Sequence, residues 1–236
     1  MRKAIFFDLG STLWDDYPVV QLTWEVLERL LMQHGIAASR ADIQAKAHEM
    51  IASYSPSLNR AVVWQYVDGD ERKYQQIMAE LIKQTKGRFA DPREFSRLNP
   101  LFPGVHQLLD GLSARYALAV VSQHFAEVER WMEIHDIRKY FRHLSVSDVE
   151  RLYKPDPRLF LQPCKALGVD PREVLMVGDR LDNDIWPANR LEMTTVRVLA
   201  DPYRIQRPRY PRDVPDFTIG RIADLTDVIE RIEAQT

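Results

Sequence analysis

Cysteine is almost missing from this sequence. Cys164 stands alone among 236 residues, so no disulfide can close within the chain. It lies in Phe160-Leu161-Gln162-Pro163-Cys164-Lys165-Ala166-Leu167 with nothing nearby to lower its pKa, and reads as a packed thiol, not a nucleophile. An excess of either charge is missing too. Lys and Arg number 32 against 34 Asp and Glu, a formal net charge of -2. The cations are scattered, so neither nucleic acid nor an anionic membrane is expected as a partner. No apolar run is long enough to span a bilayer, and Ala4-Ile5-Phe6-Phe7 meets Asp8 too early for a secretory signal. Internal repeats and low-complexity tracts are absent. A cytoplasmic protein is the expectation these absences leave, and 45% hydrophobic with 28% charged residues gives it enough apolar surface for a real core.

What is present is a series of short apolar runs. Residues 4–9, 116–122, 173–177 and 194–199 are nearly continuous in apolar character, as parallel strands covered on both faces should be. Residues 144–149 and 216–219 are weaker strand candidates. Helical patterns over 104–114, 126–137, 156–167, 182–191 and 222–233 separate the later runs, and this alternation predicts a doubly wound α/β sheet. The interval from about 19 to 99 breaks the alternation. Val20, Trp24, Val26, Leu27, Leu30 and Leu31 recur at helical spacing, as do Ile43, Ala47, Met50 and Ile51, and then Tyr74, Ile77, Met78, Leu81 and Ile82. The expected organisation is an α/β core of residues 1–15 and 101–236 with an all-helical insertion over 16–100. Residues 201–216, rich in proline and arginine, read as an ordered surface loop.

Residues able to do chemistry fall at the C-terminal ends of the predicted strands. Phe7-Asp8-Leu9-Gly10-Ser11-Thr12-Leu13 ends the first, and Val120-Val121-Ser122-Gln123 ends the second. Lys154 opens Lys-Pro-Asp-Pro-Arg after the third, and Val177-Gly178-Asp179 ends the fourth, with Asn183-Asp184 one turn on. In an open parallel sheet those ends converge on one crevice, where ligands bind. Three carboxylates, an ammonium and a hydroxyl would meet there. Carboxylates that close need a cation, and oxygen-only donors point to Mg²⁺.

In these four motifs, in this order, the chain resembles the haloacid dehalogenase-like hydrolase superfamily, and the helical insertion resembles the mobile cap of its helical-cap, phosphatase-like members. The resemblance implies a Rossmann-like core and a Mg²⁺-dependent phosphoester hydrolase acting on a small phosphorylated metabolite. Asp8 would be the nucleophile, forming an aspartyl-phosphate, with Lys154 and Ser122 as its catalytic partners. Ser122, Gln123, Lys154, Leu9, Gly10 and Thr12 would contact substrate phosphate or brace the loop that does. Asp8, the Gly10 carbonyl, Asp179 and Asp184 would hold the metal, and Asn183 would orient a metal-bound water or cap a helix.

At one position the sequence departs from the family pattern. Phosphatases of this superfamily carry a second aspartate two residues after the nucleophile, and here that residue is Gly10. Asp15 or Asp16 could replace the acid, or the natural leaving group could need no proton. A C–halogen hydrolase also lacks this aspartate, but gains nothing from the Asp179/Asp184 pair. A phosphonate-cleaving enzyme would want a lysine from Lys46, Lys73, Lys83 or Lys86, which read better as solvated. A weakly catalytic binding scaffold, docking through Trp24, Trp64 and Tyr66, is the remaining alternative. His124, just past Ser122, reads as a surface histidine. Substrate identity and oligomeric state are not legible.

Overall fold

The computed structural model describes residues 2–234. Six strands form one sheet: β1 (Ala4–Phe7), β2 (Ala117–Ser122), β3 (His143–Val146), β4 (Val174–Gly178), β5 (Thr194–Val198) and β6 (Phe217–Ile219). Their order is β3-β2-β1-β4-β5-β6 and every pairing is parallel. The first strand is therefore central, and Phe7 is in register with both Val120 and Val177. β1 is buried throughout, as a near-continuous apolar run between two helical layers must be.

The chain divides into two compact units, residues 1–15 with 100–236, and residues 16–99. Pro100 groups with the sheet unit, one residue earlier than the sequence suggests, because its carbonyl accepts the Asp15 amide at 2.8 Å. The inserted unit holds α1 (Tyr17–Gln33), α2 (Arg40–Ala52), α3 (Leu58–Tyr66), α4 (Glu71–Lys86) and α5 (Pro92–Leu98). Trp24, Leu27, Leu31, Ile43, Ala47, Val63 and Ile77 meet in its own core. Ser39 and Asp42 start α2 with a reciprocal capping box. Trp24 is a core residue of this unit, whereas Trp64 is exposed.

The sheet unit adds α6 (Val105–Ser113), α7 (Val128–Ile134), the single turn α8 (Ser147–Glu150), α9 (Pro157–Leu167), α10 (Trp186–Arg190) and α11 (Leu225–Ala234). Two predicted elements change here. The third strand stops at Val146 and residues 147–150 turn helically, which lets Ser147 Oγ donate to the Ser122 carbonyl at 3.3 Å. The helix expected over 182–191 begins as a wide π-type turn, Leu181–Ile185, before α10. Such turns frequently occur at functional sites. Cys164 packs among Phe6, Met176 and Phe160 in the sheet core. Among the described residues, no helix is long and apolar enough to cross a membrane.

Candidate active site

Asp8 follows the last residue of the central strand, and its amide continues the ladder by donating to the Val177 carbonyl at 2.9 Å. The chain then turns tightly. The Leu9 carbonyl accepts from the amides of Thr12, Leu13 and Trp14, so the loop is braced by backbone. Thr12 Oγ1 is buried with no hydrogen-bond partner among the described residues; the brace expected of this residue does not come from its side chain.

Strand order brings the other motifs alongside. Ser122, at the end of neighbouring β2, donates to Asp8 Oδ1 at 2.8 Å. Lys154, in the turn before α9, donates to Asp8 Oδ1 at 2.8 Å and to Asp184 Oδ1 at 2.6 Å. Among the described residues these bonds fall on one oxygen of Asp8, and Oδ2 carries none of them. Asp184 Oδ2 accepts the Arg180 amide at 3.0 Å. One ligand atom from each of Asp8, Asp179 and Asp184 lies within 4.8 Å of the other two. Gln123, by contrast, is exposed, and Asn183 is buried on the π turn.

Close packing sets this geometry. A Cβ on Gly178 would lie 2.5 Å from both Cβ and Cγ of Asp184, closer than side-chain atoms approach. Glycine there makes room for the carboxylate one turn ahead.

Burial and charge compete at each group. Burial pushes the Asp8 carboxyl up, but the Lys154 ammonium, then His124, and hydrogen bonds from Lys154 and Ser122 pull it below the usual carboxylate range. Burial opposes charge on Lys154, and the Asp184 and Asp8 carboxylates overcome it, so the ammonium holds its proton more tightly than a free lysine. Asp184 is held above the usual range by burial, with Asp8's charge acting in the same direction and Lys154 against it. The pattern is an ionised Asp8 beside a permanent cation.

Several supporting residues carry no local signal in the sequence. Arg197 is buried and donates to the carbonyls of Asp179, Gln206 and Tyr203 at 3.1, 3.1 and 2.8 Å. Gln206, fully buried, accepts the Leu181 amide and donates to Asp182. Arg180 pairs with Asp182 and lies over the Tyr203 ring, 4.3 Å from its centroid. Part of the proline- and arginine-rich segment thus anchors the Asp179–Asp184 turn. His124 is also placed differently from the sequence reading: it is partly buried, with its ring 5.6 Å from Trp14 and 6.1 Å from Trp131.

The parallel order and this carboxylate–lysine centre at the strand ends define the class: a doubly wound, Rossmann-like α/β protein with a charged centre at its strand ends. The sequence comparisons give the family. The profile for haloacid dehalogenase-like hydrolases matches residues 2–191, and the chain belongs to that family. It is 27% identical over 238 residues to the glyceraldehyde 3-phosphate phosphatase of Methanopyrus kandleri, spanning 98% of this chain and 99% of that one. The enzyme of the same name from Pyrococcus abyssi is 30% identical over 200 residues, 83% of this chain and 81% of the relative. Among solved structures, a predicted phosphoglycolate phosphatase from Haemophilus somnus 129pt superimposes with a TM-score of 0.74 at 22% identity, covering 97% of this chain and 98% of that one. That likeness establishes the shared fold.

Proposed function

We propose that the protein is a Mg²⁺-dependent phosphoester hydrolase that cleaves a small phosphorylated metabolite through an aspartyl-phosphate on Asp8. The observation that carries this reading is the Lys154 ammonium held between Asp8 and Asp184, beside three carboxylates that converge within 4.8 Å. A buried excess of negative charge with only oxygen donors fits a hard divalent cation. Asp8, Asp179, Asp184 and the Gly10 carbonyl are the residues that would hold it. The bound ion supplies charge neutralisation between an anionic nucleophile and an anionic substrate.

Ser122 and Lys154 hold Asp8 Oδ1 and leave Oδ2 to attack phosphorus, displacing the alcohol. Lys154 and the Ser122 hydroxyl also stabilise charge on the phosphoryl oxygens as it moves in transfer. The backbone of Leu9 and Gly10 and the side chain of Gln123 are the further phosphate contacts in this reading, and the Thr12 amide supports the loop by donating to the Leu9 carbonyl. Water then attacks the aspartyl-phosphate and restores the carboxylate. The inserted helical unit acts as the substrate-selecting cap. Relatives are named for glyceraldehyde 3-phosphate, phosphoserine and phosphoglycolate, which makes three-carbon and two-carbon phosphates the first substrates to test. We take the enzyme to work in the cytoplasm, where a single reduced thiol is ordinary.

The test is phosphate release from these three compounds with Mg²⁺ or EDTA, for the wild type and for Asp8→Asn. Mg²⁺-dependent release that disappears in Asp8→Asn supports the reading. Release that survives the substitution overturns it.

A further inference from the structure

With glycine at position 10, none of the residues assigned so far protonates the departing alkoxide, and Asp15 and Asp16 lie seven and eight residues beyond the nucleophile. His124 lies close to the nucleophile. It follows Ser122 by two residues, and Ser122 touches the nucleophile. The backbone on both sides of Gln123 is pinned: Ser147 Oγ donates to the Ser122 carbonyl at 3.3 Å and the Asp148 amide donates to the His124 carbonyl at 3.3 Å. The imidazole lies against Trp14, whose indole belongs to the loop leaving Asp8, and edge-on to Trp131. Two aromatic neighbours restrict the ring's rotamer.

The tautomer is fixed as well. His124 Nδ1 is 2.9 Å from the Gln123 carbonyl, and a carbonyl can only accept, so Nδ1 carries a proton. The neutral ring therefore has its lone pair on Nε2. Charge couples the ring to the centre: Asp8 favours the imidazolium and Lys154 opposes it, and His124 in turn favours ionised Asp8. Burial carries the His124 pKa below the usual imidazole value, with Lys154 adding to it and Asp8 and the Gln123 carbonyl opposing, so the resting ring is readier to give up its proton than a free imidazolium. The elements packed around it also carry His135, whose ring lies 5.7 Å from that of Trp14, Asp15 beside Trp14, Glu129, Arg130 and Glu133 on the helix of Trp131, and Asp148 and Glu150 on the turn below.

We propose that His124 is the general acid and base of this enzyme, standing in for the carboxyl that position 10 lacks. In the first half-reaction the bond from Asp8 to phosphorus forms and the bond from phosphorus to the substrate oxygen breaks. The imidazolium gives its Nε2 proton to that oxygen, which leaves as the alcohol. In the second half-reaction neutral Nε2 takes a proton from the attacking water as the phosphorus bond to Asp8 breaks. The imidazolium is regenerated, phosphate departs, and the proton delivered in one turnover is the proton collected in the one before.

The inference rests on the hydrolase reading, and one experiment separates the two. Wild type, Asp8→Asn, His124→Gln and Gly10→Asp/His124→Gln are assayed with p-nitrophenyl phosphate, whose leaving group needs no proton, and with glycerol 3-phosphate, whose leaving group does. Positioned acid–base help is worth roughly 10²- to 10⁴-fold. The expected result for His124→Gln is a loss of that order in kcat/KM for the alkyl ester. For the aryl ester kcat/KM should stay within about threefold, while kcat falls and phosphoenzyme accumulates, because the missing base stalls only the second step. Gly10→Asp in the same background should restore alkyl turnover, which a misfolded variant cannot do; Gly10 is not among the glycines with left-handed backbone. Equal kcat/KM losses for both esters, no loss for the alkyl ester, or a wild type that cleaves only the aryl ester would each overturn the inference and leave the nucleophile's role intact. Turnover that survives in Asp8→Asn would instead overturn the hydrolase reading beneath it.

Discussion

Lys154 Nζ lies 2.6 Å from Asp184 Oδ1, and both side chains are almost wholly out of solvent. Removing one member of such a pair strands the other charge, at a cost of about 3–5 kcal/mol. Lys154→Met should therefore lower the melting temperature markedly in EDTA, where nothing else neutralises Asp8 and Asp184. Mg²⁺ should recover more stability in the variant than in the wild type, and phosphatase activity should be lost in both media. Thermal melts with and without Mg²⁺ check the first part, and phosphate release checks the second.

Gly178→Ala tests the packing that seats Asp184. The new methyl would have to displace a carboxylate already tied to Lys154 and the Arg180 amide. Overpacking of this kind costs about 1–3 kcal/mol, so the fold should survive while the metal site does not. Titration calorimetry should show Mg²⁺ affinity falling at least tenfold, with circular dichroism unchanged at 25 °C.

Arg197 reads out the support beneath Asp179. Its guanidinium serves three carbonyls from one buried position, a fork that an ammonium cannot reproduce. Arg197→Lys should lose about 3 kcal/mol, given roughly 1.5–3 kcal/mol for each hydrogen bond to a charged group. Urea denaturation measures the loss directly.

Cys164 gives a prediction in pH. Burial, and behind it the charge of Asp170, pushes the thiol up to about 11 from a usual value of 9.0. Between those values the unfolded thiol has lost its proton and the folded one keeps it. The unfolded state then binds fewer protons, so stability falls as pH rises through this window. Below pH 9 the thiol is protonated in both states and contributes no slope. Iodoacetamide should leave the native protein unmodified at pH 8 and alkylate it once in urea. Cys164→Ala should flatten the alkaline decline.

The sequence carries the sheet and the chemical motifs because both are local signals. An unbroken apolar run such as 4–7 has few alternatives to a covered parallel strand, and Asp8, Ser122, Lys154 and Asp179 each follow such a run or the turn beyond it. What it does not carry depends on distant partners. Nothing around Arg197 or Gln206 announces that they meet beneath the Asp179–Asp184 turn. His124 looks like a surface residue in the sequence because Trp14 is 110 positions away in the chain, and only the β1–β2 pairing brings their loops together. The helix Leu58–Tyr66 escapes a pattern reading because it is short, buries Val62 and Val63, and leaves Trp64 exposed. Val149 makes 147–150 look like strand, although its side chain is exposed on a helical turn.

The central position of β1 has a consequence for the nascent chain. β1 leaves the ribosome with both its neighbours, β2 and β4, more than a hundred residues downstream. At about 5–20 residues per second, Ala4–Phe7 waits on the order of ten to thirty seconds for β4 to emerge. Until β2 follows, a fully apolar tetrapeptide has no strand to pair with, and until β4 follows one of its edges stays open, while α1 to α5, whose contacts are with one another, are free to collect into their own core. Ribosome-bound chains halted before Val174 are accordingly where a chaperone that grips short apolar segments should find Ile5, Phe6 and Phe7.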